Sequence, residues 1–353
     1  MPTPRALHAG LATSAAVALA ATALAAPVVA QDEMSGEGKS LSIITPFYAS
    51  QPATKEAVDL FIEDAESRGY ETKMVDTAND SAAVSGEMTS AIAQDFDAIV
   101  LAFAFSQEIG EGLAAAAEAE VPVFGLDAGG VADPMLVNVT SDPGELGLLS
   151  AQAIIDTLGG PGEVAMIHFD PFEPVRLRAV TATELFEAND IEIVEYIQGD
   201  PADAPGHAKA TVLDLLVKYP EGELDAVWAG WDDPALGAFQ ATQEIGRPDV
   251  LVTGVDGQDF AVAEVAKGEN WIATVRQDCP ANTSALGDLV DDDFAGAMPE
   301  EQPVFVPATL ITAENAQYLR SRCPRPPSRT RSREPVGGRF MCGPSADGAR
   351  GRT

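Results

Sequence analysis

Cysteine, aromatic side chains and positive charge are all scarce in this chain of 353 residues. The three cysteines, Cys279, Cys323 and Cys342, are too few and too widely spaced for a metal cluster. In an oxidising compartment Cys279 and Cys323 could close a bridge, a pairing their positions alone leave open, while Cys342 is expected to have no partner. Lys and Arg number 21 against 55 Asp and Glu, a net charge of -34, which argues against nucleic acid and anionic lipid as partners. Setting aside Arg5 and the seven arginines beyond Cys323, with Glu334 and Asp347, leaves 13 cationic side chains facing 53 acidic ones. A solvated surface suited to salty surroundings accounts for that excess better than an acidic binding face. Catalytic signatures are missing too: there is no Gly-x-Ser-x-Gly elbow, Walker loop or His-Glu-x-x-His, and Gly125, Gly129 and Gly130 lack dinucleotide spacing. His168 and His207 have no nucleophile or ligand-spaced acid beside them. No catalytic residue, metal or cofactor is expected.

Long apolar runs are also absent, with one exception at the start. Arg5 and His8 precede an Ala-rich stretch from Leu11 to Ala26 and a small-residue site at Val28-Val29-Ala30. That pattern predicts a cleaved signal peptide over residues 1–30, since the run is short for the ~20 apolar residues of a membrane span. No Cys follows the cleavage site, so no lipid anchor is expected there, and the mature protein is expected free in a periplasm. At the other end, residues 324–353 hold Pro, Gly, Ser and Arg with almost no aliphatic side chain, which predicts a disordered basic tail.

Between these ends, short β-rich apolar runs alternate with helical stretches. Leu41–Thr45, Glu71–Asp76, Ala98–Ala102, Val121–Leu126 and Leu136–Thr140 read as strands, separated by helices at Thr54–Arg68, Ser81–Gln94 and Glu108–Glu118. The cycle restarts with strands at Val164–Phe169, Ile191–Ile197, Ala226–Ala229, Val250–Val255 and Trp271–Val275. Helices at Val175–Ala188, Ala208–Lys218, Pro234–Ile245 and Asp259–Lys267 lie between them. This is an α/β fold class: two doubly wound parallel-sheet domains, consistent with the ~100–200 residues a domain usually takes.

In open parallel sheets a ligand sits beyond the carboxyl ends of the strands. The residues there are polar or aromatic: Phe47 and Tyr48, Asn79-Asp80, Asp127, Ser141-Asp142, Asp170, Trp231-Asp232, Asp256 and Gln277, with Arg176 and Arg178 near a helix start. Aromatic faces stack on the C–H surface of a sugar ring, and carboxylates, amides and a guanidinium fork bond hydroxyls in a fixed pattern. Asp127 and Asp256 remain open to a second reading as helix caps, and Trp231 to one as core; Trp228, inside its strand, reads as core.

Four stretches carry a resemblance. Ala229-Gly230-Trp231-Asp232-Asp233-Pro234-Ala235-Leu236-Gly237-Ala238, Val252-Thr253-Gly254-Val255-Asp256-Gly257 and Val121-Pro122-Val123-Phe124-Gly125-Leu126-Asp127, with Ala273-Thr274-Val275-Arg276-Gln277, are similar to the ribose-binding branch of the type I periplasmic sugar-binding proteins. The resemblance runs from about Ser40 to Asn315 and implies three crossings of a hinge, near Ser141, Gln277 and Pro303. It divides the chain into one lobe of residues 40–141 plus 278–302 and another of 142–277 plus 303–320. It implies that Phe47 and Tyr48 clamp the sugar with Asn79 nearby, that Asp127 and Asp256 bind hydroxyls, and that Arg176 and Gln277 complete the site with Trp231. Ala128 stands where the family often has Arg, and Trp231 where it often has Asn, departures that favour another monosaccharide or a polyol over ribose.

The function the resemblance implies is capture of a monosaccharide or sugar alcohol by a monomer, without nucleic acid, for the permease of an ABC transporter. A receptor feeding a chemosensor or sensor kinase, or a carrier of a non-sugar solute, remains the alternative. A repressor is excluded by the leader and the lack of a DNA-reading module.

Overall fold

The computed structural model describes residues 34–128, 136–297 and 303–322. The expected signal peptide, the basic tail, Cys323 and Cys342 lie outside the described residues. Every element named below belongs to the unit formed by residues 35–353.

In the first half, β1 (Ser40–Thr45), α1 (Pro52–Ser67), β2 (Glu71–Asp76), α2 (Val84–Ala93), β3 (Ala98–Ala102), α3 (Gly110–Glu118), β4 (Val123–Leu126) and β5 (Leu136–Thr140) follow one another. After β5 come α4 (Pro143–Leu158), β6 (Gly162–His168), α5 (Glu173–Ala188), β7 (Ile191–Gln198), α6 (Ala204–Lys218) and β8 (Ala226–Ala229). Then come α7 (Asp232–Ile245), β9 (Leu251–Asp256), α8 (Asp259–Val265), β10 (Trp271–Arg276), α9 (Cys279–Phe294), β11 (Val304–Phe305), β12 (Thr309–Thr312) and α10 (Ala313–Arg322). The strands form two six-stranded sheets, in the orders β11-β5-β4-β3-β1-β2 and β12-β10-β9-β8-β6-β7. Pairing is parallel except between β10 and β12.

Central strands such as β3, Ala-Ile-Val-Leu-Ala, are wholly buried because helices cover both faces, as the sequence leads one to expect of continuous apolar runs. Successive side chains point to opposite faces: Ile43 packs with Val58, Phe61 and Leu286 under α1 and α9, while Ile44 packs with Met88 and Leu113 under α2 and α3. The second sheet is built alike, with Val212 and Phe239 over one face and Ile154, Phe186 and the fully buried Trp228 over the other. The edge strands β2 and β7, like β11 and β12 at the opposite edges, have mixed exposure.

The sequence reading places neither α4 nor α9, and it sets the third crossing too early. The alternation of runs does not reveal α4, although its ends are clearly marked: the Asp142 side chain accepts from Gly144 N at 2.8 Å, Pro143 opens the first turn, and Gly159 closes the helix at φ 64°. The third crossing also falls later than the position near Pro303. Val304 and Phe305 pair with Val139 and Thr140, and Val306 N donates to Thr140 O at 2.9 Å, so the chain leaves the first sheet only between Val306 and Thr309. The unpaired edge of β5 takes up these residues before the sheet changes.

Candidate ligand-binding site

The carboxyl ends of the strands in both sheets face a cavity with about 470 Å³ of empty space, part of it open to solvent. Its polar floor is a buried cluster. Arg178, 2% exposed, projects from the second turn of α5 and donates through Nη1 to Gly230 O at 2.9 Å and to Asp256 Oδ1 at 3.3 Å. Its Nη2 lies 3.8 Å from Asp127 Oδ2, across from the other lobe. Gln277 Nε2 spans the same two acids, 3.0 Å from Asp256 Oδ1 and 3.5 Å from Asp127 Oδ2. Thr140 Oγ1 donates to Asp127 Oδ1 at 2.5 Å. Asp256 caps no helix, since α8 is capped at Gln258, and among the described residues Asp127 caps none either.

Backbone conformation at these positions is unusual. Phe103, Asp127 and Asp256 have φ of 55°, 48° and 113°, in a region L-residues rarely adopt, and such strain persists where surrounding structure holds it. Burial raises the Asp256 carboxyl to about 6, against the Arg178 charge and the Gln277 bond, which pull it down. Behind it, Asp232 is fully buried and holds the turn after β9 by accepting from Gln258 N at 2.8 Å and Thr274 Oγ1 at 2.7 Å. Burial, then the charge of Asp256, pushes the Asp232 carboxyl far above the usual range and that of Asp233 to about 7.

The walls are aromatic. Phe47 and Phe103 come from the first lobe, Phe169, Phe172 and Trp231 from the second. Phe105, beside them, joins the lobes by ring contacts of 5.5 Å to Phe47, 6.0 Å to Phe169 and 5.6 Å to Phe172. Trp231 meets Phe169 edge-on at 6.4 Å and lies so close to Gly199 that a Cβ there would stand 2.6 Å from its ring. Hydrogen bonds also cross the cleft: Gln51 Nε2 to Pro201 O, Gln107 Nε2 to Pro171 O at 2.6 Å, and Gln258 Nε2 to Glu56 Oε2 at 3.2 Å. The lobes are therefore closed upon each other in this structure.

Of the residues expected from the sequence, Phe47, Asp127, Trp231 and Asp256 line this cavity, and Gln277 lines a recess opening beside it. Tyr48, Asn79 and Arg176 do not. The Tyr48 hydroxyl donates to Asp59 Oδ1 at 2.7 Å and its ring lies under Lys55, one position out of phase with Phe47 on the loop. Asn79 accepts from Ser50 Oγ at 2.7 Å on the surface. The arginine of the cavity is Arg178, not Arg176. Val175, Arg178, Ala179 and Ala182 share the buried stripe of α5, and at 100° per residue Arg176 turns away to Asp170 O and Glu173. The sequence reading overlooked Phe103, Phe172, Gln51 and Thr54; Phe103, one step beyond β3, obeys the strand-end rule, whereas the others need the loop paths. His168 stays outside the cavity, stacked on Tyr196 at 3.7 Å, its pKa lowered by burial in opposition to Asp170. Among the described residues no group of His, Cys, Asp or Glu could hold a metal ion.

Comparison with known proteins agrees with this geometry. The chain is 28% identical to the ribose import binding protein of Bacillus subtilis over 83% of this chain and 94% of that one. It is 26% identical to the D-apiose import binding protein of Actinobacillus succinogenes, over 85% and 97%. A solved ABC transporter solute binding protein from Agrobacterium vitis, with bound allitol, superposes with a TM-score of 0.76 at 25% identity, covering 82% of this chain and all of that one. A family model for the periplasmic binding protein domain matches residues 42–292, and the chain, with its two parallel-sheet α/β lobes closing over a cavity, belongs to that family of solute-binding proteins.

Proposed function

We propose that this protein captures a monosaccharide or sugar alcohol between its lobes and presents the closed form to the permease of an ABC importer. One observation carries the reading: buried carboxylates, a guanidinium and an amide converge on a cavity walled by aromatic rings contributed by both lobes. Charged and amide groups bond hydroxyls directionally, and the rings cover C–H faces, which suits a compact hydroxylated molecule better than an amino acid needing a paired carboxylate and ammonium site. The relatives named for ribose and apiose, and the allitol-bound structure, support this ligand class. Delivery to the periplasm by the N-terminal leader, and action as a monomer, belong to the same proposal. A melting-temperature screen across sugars, alditols, amino acids and nucleosides tests it, because a ligand that binds only the native state stabilises it by mass action. Stabilisation by a sugar or alditol is expected. Stabilisation by nucleosides or amino acids with none by any polyol would refute the class.

A further inference from the structure

The charges around the cavity do not balance. Asp127 and Asp256 are each at most 7% exposed, and the buried cation set between them is the single guanidinium of Arg178. Arg276 turns instead to the Gly257 carbonyl and lines neither the cavity nor its recess.

The recess at the hinge end sharpens the point. It shares Ala53, Phe103, Asp127 and Asp256 with the main cavity and has room for a single water-sized group. Asn282, 4% exposed, lines it, and the buried Oδ1 of that side chain has no hydrogen-bond partner among the described residues. The Cys279 thiol also lines it and is pushed up by burial and by the nearby charges of Glu56, Asp256, Asp127 and Asp278. Two carboxylates and an unsatisfied amide oxygen present acceptors, and what they call for is a donor. A hydroxyl or a water supplies donors yet leaves the negative charge unanswered. An alkylammonium brings three donors, no acceptor and a compensating charge, and the neighbouring aromatic faces favour a cation further.

We propose that the preferred ligand is a polyol bearing a primary amine, an amino sugar, aminocyclitol or amino-alditol, whose ammonium group enters the recess between Asp127, Asp256 and Asn282. This rests on the polyol reading of the cavity and narrows it. The hydroxylated body of the ligand lies against the aromatic walls, while Arg178 holds the two acids apart at the floor.

Calorimetry at pH 7 and 0.15 M salt with matched probes tests the proposal: D-glucosamine against D-glucose, 1-amino-1-deoxy-D-sorbitol against D-sorbitol, and an amino-deoxy-scyllo-inositol against scyllo-inositol, each amine also in N-acetylated form. In at least one set the free amine is expected to bind ten-fold or more tightly than both its hydroxyl and its N-acetyl counterparts. Asn282→Leu should cut that preference at least five-fold, and Asn282→Asp should keep or raise it, a ratio that does not depend on small changes in fold stability. Neutral members binding as well as amines in every set would overturn the proposal and leave the polyol reading standing. An amine preference indifferent to both Asn282 variants would overturn the placement in the recess. Binding by no member of any set would overturn this inference, while the polyol reading is decided separately by the melting-temperature screen.

Discussion

Replacing Trp231 by Ala separates a cleft wall from a core, and Trp228 three residues earlier is the internal control. Trp228 is fully buried in the second lobe, with Nε1 donating to Ser150 Oγ at 2.9 Å, so Trp228→Ala should cost about 3–5 kcal/mol of unliganded stability. Trp231 is 7% exposed, but its burial depends on the closed cleft, where it shares a cluster with Phe47 and Phe105 of the other lobe. A Trp ring buries about 200 Å², worth roughly 5 kcal/mol at ~25 cal/mol per Å². Phe169 and Gly199 of its own lobe retain part of that contact when the cleft opens. Assigning about half to the ligand and the facing lobe gives roughly 2–3 kcal/mol, a loss of about 30- to 150-fold in Kd. Urea melts of the unliganded variants followed by far-UV circular dichroism, with calorimetric titration of a polyol identified by the melting screen, give both numbers. Ligand should also shift the intrinsic fluorescence of the wild type, and Trp231→Phe should remove most of that shift. A Trp231→Ala protein destabilised as much as Trp228→Ala, whose folded fraction binds normally, would refute the cleft assignment.

Further outcomes follow from the buried cluster. Arg178→Met should abolish measurable polyol binding in calorimetry, because it leaves Asp127 and Asp256 facing each other without their shared cation, whereas Arg176→Ala, on the exposed side of α5, should change Kd less than three-fold. Gly147→Ala should weaken binding although residue 147 is not at the cavity: a Cβ there would stand 2.2 Å from Arg178 O and push the α5 backbone that aims the guanidinium. The folded-state pKa values of Asp256 and Asp233, about 6 and about 7, lie above the ~3.9 of an unfolded Asp. The folded protein therefore holds these protons more tightly, and their contribution is full below about pH 4 and lost as pH rises through 6 and 7. The unliganded melting temperature should accordingly increase from pH 8 to pH 5.5, with Asp233→Asn flattening the slope; a flat or falling profile in the wild type would contradict this assignment.

Much of the architecture was legible from local pattern. Strand and helix positions follow from period-2 and period-3.6 spacing of apolar side chains, which depends only on neighbours along the chain, and the strand-end rule then led to Phe47, Asp127, Trp231 and Asp256. Helix α4 escaped because its caps, Asp142 and Gly159, are informative only once a helix is sought between them. Tyr48 and Asn79 failed as site residues because a loop's path, not its composition, decides which side chain turns inward.

The sequence by itself determined two α/β lobes, the acidity of the body and the set of groups available at the strand ends, since all of these are written in composition and periodicity. Tertiary structure alone decided which of Arg176 and Arg178 is buried against acids 51 residues before it and 78 residues after it in the chain. It also decided that Val304 and Phe305 extend the first sheet, and that Asn282 leaves an unsatisfied oxygen beside Asp127 and Asp256. Those outcomes depend on long-range packing and on charge compensation among groups far apart in sequence, for which no local spacing rule exists.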